Sequence, residues 1–399
     1  MKLPCIAIDV SKDSSHIQAF TSNNKKFSEV KVIDHDDNGF NNLKALINEL
    51  SLFTSKEVIV AFEDTGVYDK SLQMFLTTNE VRYAPINPLV SAKSRKTSLR
   101  GVKTDAKDCS NIAKVYFNSD VRYKLLESEY RHRLRKLNRY YEESIAHLRK
   151  YKVNMHESLD VIWPMYSKVF KNMFTNLPLR IIEEFGHPYN LKRKHHKTIK
   201  RFIFNNSNHR DAWCDKKAFE LLNYANSCYP GCLEEGVDVE ILANKVMDIR
   251  VCLKRVDDTL EEIIDLAKLD PNFKVLISIP GIAQHLASRI IAEIGNIERF
   301  DGPKQLIAYA GLDPIVYESG KYKGKLAISK KGNKRLRCLL YLAVRCSLRT
   351  KSQQNSIKDY FKRKTQQGKL HGVALIACCN KLLRIIYSMC ITGTTYKYN

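Results

Sequence analysis

CIAIDVSK, residues 5–12, is the stretch that decides the fold. Its apolar run is too short for a helix and gives way to polar residues at Asp9, which predicts a buried strand over 6–10 whose carboxylate emerges at the strand end. Working outward, His16–Phe20 reads as a second strand and Val30–Ile33 as a short third, with polar turn residues between them. Phe40–Leu50 has helical spacing, Glu57–Phe62 is another apolar strand, and Lys70–Thr77 is helical. Val81–Ile86, punctuated by Pro85 and Pro88, is a further strand. This order predicts an α/β layer fold with a mixed sheet over residues 1–120.

Beyond it, residues 121–269 read as almost entirely helical. Tyr130, Leu134, Leu137, Tyr141, Ile145 and Leu148 step by threes and fours. Leu242, Val246, Ile249, Leu253, Val256, Leu260, Ile263 and Ala267 alternate fours and threes, the heptad seam of a coiled coil. An intramolecular antiparallel pair and a subunit interface both satisfy that seam, and dimerisation with spacing of the end domains is the favoured reading. Residues 270–399 form a basic, mostly helical third region.

Charge narrows the partners. The chain of 399 residues carries a net +23, and from Lys321 onward nineteen Lys and Arg face one acid, Asp359. A polyanion met by this segment is implied, and nucleic acid fits better than a membrane surface because no lipidation signal or long amphipathic design accompanies the charge. No apolar run is expected to reach the roughly 18 residues of a membrane span, and MKLPCIAIDV lacks a signal-peptide layout, so a cytoplasmic protein with reduced thiols is expected. The eleven cysteines are irregularly spaced; His209, Cys214, Cys228 and Cys232 are loosely zinc-like but lack a tight Cys-x-x-Cys pair, so ordinary thiols are the favoured reading.

The chemistry-bearing residues lie mainly in the first region. Asp9 ends one predicted strand and Glu63 ends VIVAFE, followed by Asp64-Thr65-Gly66-Val67-Tyr68. Asp105 and Asp108, three apart in KTDAKDCSNIAKV, share one face of a helix. Taken singly, each acid is better explained as a turn, surface or helix-end charge. Gathered together they would repel one another without a cation, and their oxygens suit magnesium, a pair of which stabilises both oxygens of a phosphoryl transfer.

In the third region, Ile279-Pro280-Gly281-Ile282 makes a tight turn between two apolar segments. It reads either as a phosphate-binding hairpin, with Ala283 where a second Gly is common, or as a plain helix–helix turn. Glu318-Ser319-Gly320-Lys321-Tyr322-Lys323-Gly324, followed by Ser329-Lys330-Lys331-Gly332, reads as a basic loop in which glycines admit a strand and lysines hold its phosphates. The residues read as nucleic-acid contacts are Lys103, Gly281, Lys321, Lys323, Lys325, Lys330, Lys331, Lys334, Arg335 and Arg337. Nothing in the spacing selects Ser319 over Ser329 as a nucleophile. The final apolar helix, carrying Lys381 and Arg384, reads as a docking element.

The succession of Asp9, Glu63-x-Thr65-Gly66-x-Tyr68 and Lys103-x-Asp105-x-x-Asp108 resembles the RuvC-like, ribonuclease-H-fold domain of the DEDD transposases of the IS110 insertion-sequence family. LDVIWPMYSKVF (159–170), LISIPGIAQHLASRIIAEIG (276–295), RFDGPKQLIAYAGLDP (299–314) and ESGKYKGKLAISKKGNKRLR (318–337) resemble later segments of the same family, with Trp163 where Phe is usual. Residues 190–237 match poorly. The resemblance implies a transposase acting on donor and target DNA, with magnesium, two ions per site, at Asp9, Glu63, Asp105 and Asp108. It makes Ser319 the nucleophile and implies guidance by a noncoding bridge RNA. It also implies homodimers that pair into tetramers, with an active site shared between subunits. A site-specific DNA invertase, which the family also includes, and a catalytically inactive nucleic-acid-binding relative are the alternatives.

Overall fold

The apolar run at 5–8 becomes the middle of a sheet. The structure is a computed structural model, and it describes residues 2–64, 66–96, 105–118, 129–315, 318–319, 322–323, 327–351 and 355–398. The chain forms two units, Met1–Ser128 and Glu129–Asn399.

In the first unit, β1 (Cys5–Val10), β2 (Ser14–Ser22), β3 (Lys25–Lys26) and β4 (Lys31–Asp34) are followed by helix α1 (Asp37–Thr54) and β5 (Ile59–Glu63). Then come α2 (Lys70–Thr78), β6 (Tyr83–Ile86), α3 (Pro88–Lys96) and α4 (Asp105–Asn118). The strand order is β3-β2-β1-β5-β6, with β4 also on β2. The sheet is mixed as expected: β1 runs parallel to β5 and β5 to β6, while β2 is antiparallel to β1, β3 and β4. Pro85 is tolerated in β6 because β6 is an edge strand. Strand alternation sends the two halves of β1 into different cores. Ile6, Ile8 and Val10 join Val60 and Phe62 against Leu43, Leu46 and Leu50 of α1 and Leu72 and Leu76 of α2. Cys5 and Ala7 join Ile59 and Ala61 against Cys109, Ile112, Ala113 and Tyr116 of α4.

The second unit is mostly helical. It begins with the 34-residue α5 (Glu129–Ile162), followed by α6 (Tyr166–Val169), α7 (Asn176–Phe185), α8 (Pro188–Lys192), α9 (His196–Asn205) and α10 (Asp211–Ser227). The 31-residue α11 (Val237–Ala267) then leads to α12 (Asn272–Ile277), α13 (Gln284–Ile294) and α14 (Pro303–Tyr309). Four short strands, β7 (Pro314–Ile315), β8 (Glu318–Ser319), β9 (Tyr322–Lys323) and β10 (Ala327–Ile328), precede α15 (Lys334–Arg349), α16 (Ser356–Gln366) and α17 (His371–Thr392).

Helices α5 and α11 pack antiparallel: Arg133 pairs with Glu262, the Cys252 thiol donates to the Ser144 carbonyl, and Lys245 Nζ donates to Asn154 O and Ser158 Oγ. The heptad seam is therefore buried inside the chain. Leu242, Val246, Ile249 and Val256 enter one core with Met155, Leu159, Ile162, Trp163 and α7–α10, while Ile263 and Ala267 enter a second with α12–α17. Of the two arrangements the seam allowed, the intramolecular pair is the one formed.

The expectation that no apolar run is long enough to span a membrane needs correction. By length and composition α17 qualifies, with 22 residues and mean hydropathy 1.6. Ala374, Leu375, Cys378, Cys379, Leu382, Leu383 and Ile386 are buried in the C-terminal core, so the apolar length serves packing against α12, α14, α15 and α16.

Candidate active site

Three acids predicted from the sequence come to one face of the sheet. Cys5 and Ala7 point toward α4, so Asp9, two residues on, continues that face as the strand ends. Ile59 and Ala61 likewise lead to Glu63. Ile8 lies opposite Phe62 in parallel register, which makes Asp9 and Glu63 the next residues on neighbouring strands, about 4.8 Å apart across the ladder.

Helix α4 runs back along this face. The Tyr116 hydroxyl at its far end donates to Leu3 O at 3.3 Å, whereas near its start the Cys109 thiol donates to His16 O at 3.2 Å, and His16 is the cross-strand partner of Asp9. The first turn of α4 therefore lies at the carboxyl end of β1, where open α/β sheets bind ligands. Asp108, beside Cys109, is buried there. Asp105 opens the helix one turn earlier. Its side chain lies outside the described residues, as do Thr65 and Lys103.

After Glu63 the chain turns through Gly66, whose φ of +90° favours glycine. Tyr68 is half-exposed, and Asp69 is buried at the start of α2, accepting from Gln73 Nε2 at 2.6 Å and pairing with Lys70 at 3.2 Å. As donors, Asp9, Glu63 and Asp108 offer only hard oxygens, which suit a magnesium-like cation and not a soft one. Among the described residues no group of three or more His, Cys, Asp or Glu side chains is arranged to hold a metal ion.

Ser319 belongs to a nested hairpin in the second unit. Strands β7 and β10 form its outer rung, Ser319 and Tyr322 pair in its inner rung, and the side chains of Ser319 and Lys323 lie outside the described residues. Lys321 and Lys325 also lie outside them.

The base of the hairpin is clamped. Ser329 N donates to Asp313 O at 2.8 Å and Ser329 Oγ to Asp313 Oδ1 at 2.5 Å, while Lys330 N donates to Gly311 O at 3.0 Å. Ser329 and Ser319 are thus distinguished: the former closes the hairpin. Lys330, Lys331, Lys334 and Arg335 are exposed. Arg335 pairs with Glu142 at 2.7 Å, and Arg337 donates to Ala310 O at 2.6 Å, so Arg337 braces the backbone before the hairpin.

Asn333, which caps α15, donates to the buried Glu293 at 2.7 Å, and Asn138 donates to the other oxygen of Glu293 at 2.8 Å. Sequence reading missed the Asp313–Ser329 clamp, which carries no spacing signature. It also passed over Glu293, although that acid falls on the buried stripe of Leu286 and Ile290, where a charged residue is a signal.

Gly281 has a φ of +91°, and a Cβ there would lie 2.3 Å from Ser347 N and 2.4 Å from Ser347 Cα. Close approach to α15 accounts for the glycine without a ligand. In the loosely zinc-like region, His209 stacks on Trp213 at 3.8 Å, the buried Cys214 donates to His209 O, and Cys228 donates to the Tyr224 hydroxyl. Burial pushes the Cys228 thiol up.

The sheet unit with the start of α5, and the C-terminal segment that carries the hairpin, each match a model of the transposase class. A model described as "Transposase", of the DEDD IS110 type, matches residues 6–164, and one described as "Transposase IS116/IS110/IS902 family" matches 273–361. The chain belongs to the IS116/IS110/IS902 family of transposases, enzymes of DNA recombination.

Similar proteins include an uncharacterized 44.8 kDa protein of insertion element IS116 from Streptomyces clavuligerus, 23% identical over 72% of this chain and 71% of that one. The transposase for insertion sequence element IS1111A of Coxiella burnetii is 31% identical over 36% of this chain and 39% of its own length. The pilin gene-inverting protein of Moraxella bovis is 29% identical over 34% and 42%. The alignments thus span less than half of the latter two relatives.

Proposed function

We propose that the chain is a transposase that cuts and rejoins DNA, with Asp9, Glu63, Asp105 and Asp108 as ligands of magnesium in a RuvC-like domain and Ser319 as nucleophile. The observation that supports this reading is the packing of α4 on the face of β1 and β5, at whose carboxyl end Asp9 and Glu63 follow in register on neighbouring strands. A divalent cation bound there supplies Lewis-acid stabilisation of charge on the reacting phosphate oxygens. Asp9 and Glu63, on a rigid sheet, fix the ligand geometry, and α4 brings the remaining acids over it.

The Ser319 oxygen forms a phosphoester with the cut strand while the displaced deoxyribose oxygen leaves and takes up a proton. The exposed Lys330, Lys331 and Lys334, with Arg335 held by Glu142, contact phosphate and position the strand without reading its bases. A noncoding RNA pairing with donor and target DNA supplies the sequence choice, and the chain works as a dimer that assembles further.

Strand transfer on a donor–target pair tests the reading. Asp9→Ala and Ser319→Ala each abolish joining, and Ser319→Ala also removes the covalent protein–DNA adduct. Joining at wild-type rate in either variant rejects that residue's role. Sequencing of RNA copurified with the chain tests the guide, and recovery of random transcripts alone overturns it. The similarity to the pilin gene-inverting protein favours a second reading, site-specific inversion of a DNA segment by the same chemistry. Recombination assayed on inverted against separate sites distinguishes the two.

A further inference from the structure

Helices α6–α10 lie between the segments matched by the two transposase models, 6–164 and 273–361. They share one core with the C-terminal part of α5 and the N-terminal part of α11, and the surface they present is chemically distinctive. From Phe185 to Arg210 the chain has no Asp or Glu, while Lys192, Arg193, Lys194, Lys197, Lys200, Arg201 and Arg210 supply seven cations. Ile199 and Ile203 bury one side of α9. On the other, Lys197, Lys200, Arg201 and Phe204 fall at i, i+3, i+4 and i+7 and line a cleft of about 250 Å³ closed by Asp211. Lys200 is neutralised by Asp211 at 2.8 Å and Asp215 at 3.4 Å. Lys197 and Arg201 form no ion pair among the described residues. Phe204 is 52% exposed, so an apolar ring stands in water between cations.

We propose that this face of α9 binds an unpaired stretch of DNA, with a base stacked on Phe204 and the flanking phosphates held by Lys197 and Arg201. An exposed ring beside cations is the arrangement that binds single strands, because the face of an unpaired base is free to stack and that of a paired base is not. The one acceptor side chain of the cleft, Asp211, is held by Lys200, so nothing there selects a 2′-hydroxyl, and the transposase class supplies DNA as the strand met during cutting and joining. The site is remote in sequence from the basic C-terminal segment and does not rest on the assignment of Ser319 or the acids.

The test uses the full chain and a 5-iododeoxyuridine-substituted oligo-dT of about 20 nucleotides, long enough to fill one stacking site. Ultraviolet cross-links are expected in the peptide containing Phe204, and Phe204→Ala removes them while Phe204→Trp retains them. Phe204→Ala also weakens oligo-dT binding by about fivefold, the lower end of one base–aromatic stack, and leaves duplex affinity within about twofold. Lys197→Ala with Arg201→Ala lowers the slope of log affinity against log salt by about 1.4 on the single strand. All these side chains line an open cleft, so an unchanged melting temperature shows that the variants fold. Cross-links confined to residues 321–399, equal losses on duplex, or a loss confined to oligo-rU with oligo-dT unchanged would each overturn the proposal.

Discussion

Glu293→Gln should destabilise the second unit although it changes one atom. Both carboxyl oxygens of Glu293 accept, one from Asn138 Nδ2 at 2.8 Å and one from Asn333 Nδ2 at 2.7 Å. Neither asparagine is free to flip. Asn138 Oδ1 accepts from Arg289 Nε at 2.9 Å, and Asn333 Oδ1 accepts from Leu336 N at 3.0 Å as the cap of α15. A glutamine must therefore turn its NH2 group against one of two fixed donors, in a place with no exposure to water. Leaving a buried donor unsatisfied costs about 1–3 kcal/mol. At about 2 kcal/mol, a unit of this size loses roughly 4–8 °C in melting temperature, read by calorimetry or circular dichroism. Adding Asn333→Asp reverses the polarity of the second bond: the new carboxylate accepts from the introduced glutamine amide and still caps α15, so at least half the loss returns. A single variant melting within about 1 °C of wild type, or a double variant melting below the single, would refute the network as drawn.

Gly281→Ala places a methyl group against the backbone of Ser347 at positive φ and is expected to cost about 3–5 kcal/mol, measured by urea titration. Ser329→Ala opens the hairpin clamp and lowers strand transfer roughly tenfold or more with little change in DNA affinity, whereas Ser329→Thr retains the hydroxyl and most of the rate. Burial pushes the Cys379 thiol up to about 12 and Cys378 to about 11, from 9.0. Folded values above the unfolded one mean that their stabilising effect is complete below pH 9 and fades as pH rises toward 11–12. Urea midpoints at pH 8 and 10.5 check the sign, and in the native state iodoacetamide should reach the exposed Cys338 before either.

The first unit was legible because its signals are local. A short continuous apolar run ending in an acid marks a buried strand and the end at which its carboxylate emerges, so Asp9 and Glu63 were read as strand-end acids, and the spacing of Asp105 and Asp108 was read as one helix face. What the local pattern could not supply was the partner of each apolar stripe. The heptad seam at 242–267 fits a second subunit as well as it fits α5, and choosing requires knowing that the chain returns antiparallel after some 75 residues of intervening helices and loops. The length of α17 was missed for a related reason: Lys381 and Arg384 interrupt the apolar letters, while the lysine reaches out to donate to Ser356 O. Side-chain pairs such as Asp313 with Ser329 are closed by a hairpin, and no periodicity records them.

The polar contacts also tie together the two segments that the family models match. The segment matched by the first model continues past the sheet unit into α5, and there Asn138 and Glu142 reach Glu293, Arg289 and Arg335, all within the segment matched by the second. The two matched segments therefore meet at one end of the α5–α11 pair. At its other end Gly231 N donates to Val161 O at 2.8 Å, so the chain leaves and re-enters the pair at nearly the same place. A loop whose ends are already together can lengthen at an entropic cost that grows only with the logarithm of its length. The helices at that end, α6–α10, pack with Met155, Leu159, Leu242 and Ile249 of the pair in the core of Trp163, Tyr166, Ile199 and Leu221, away from the polar network at the far end. That geometry permits α6–α10 to acquire a surface such as the α9 face without altering the parts that hold the hairpin.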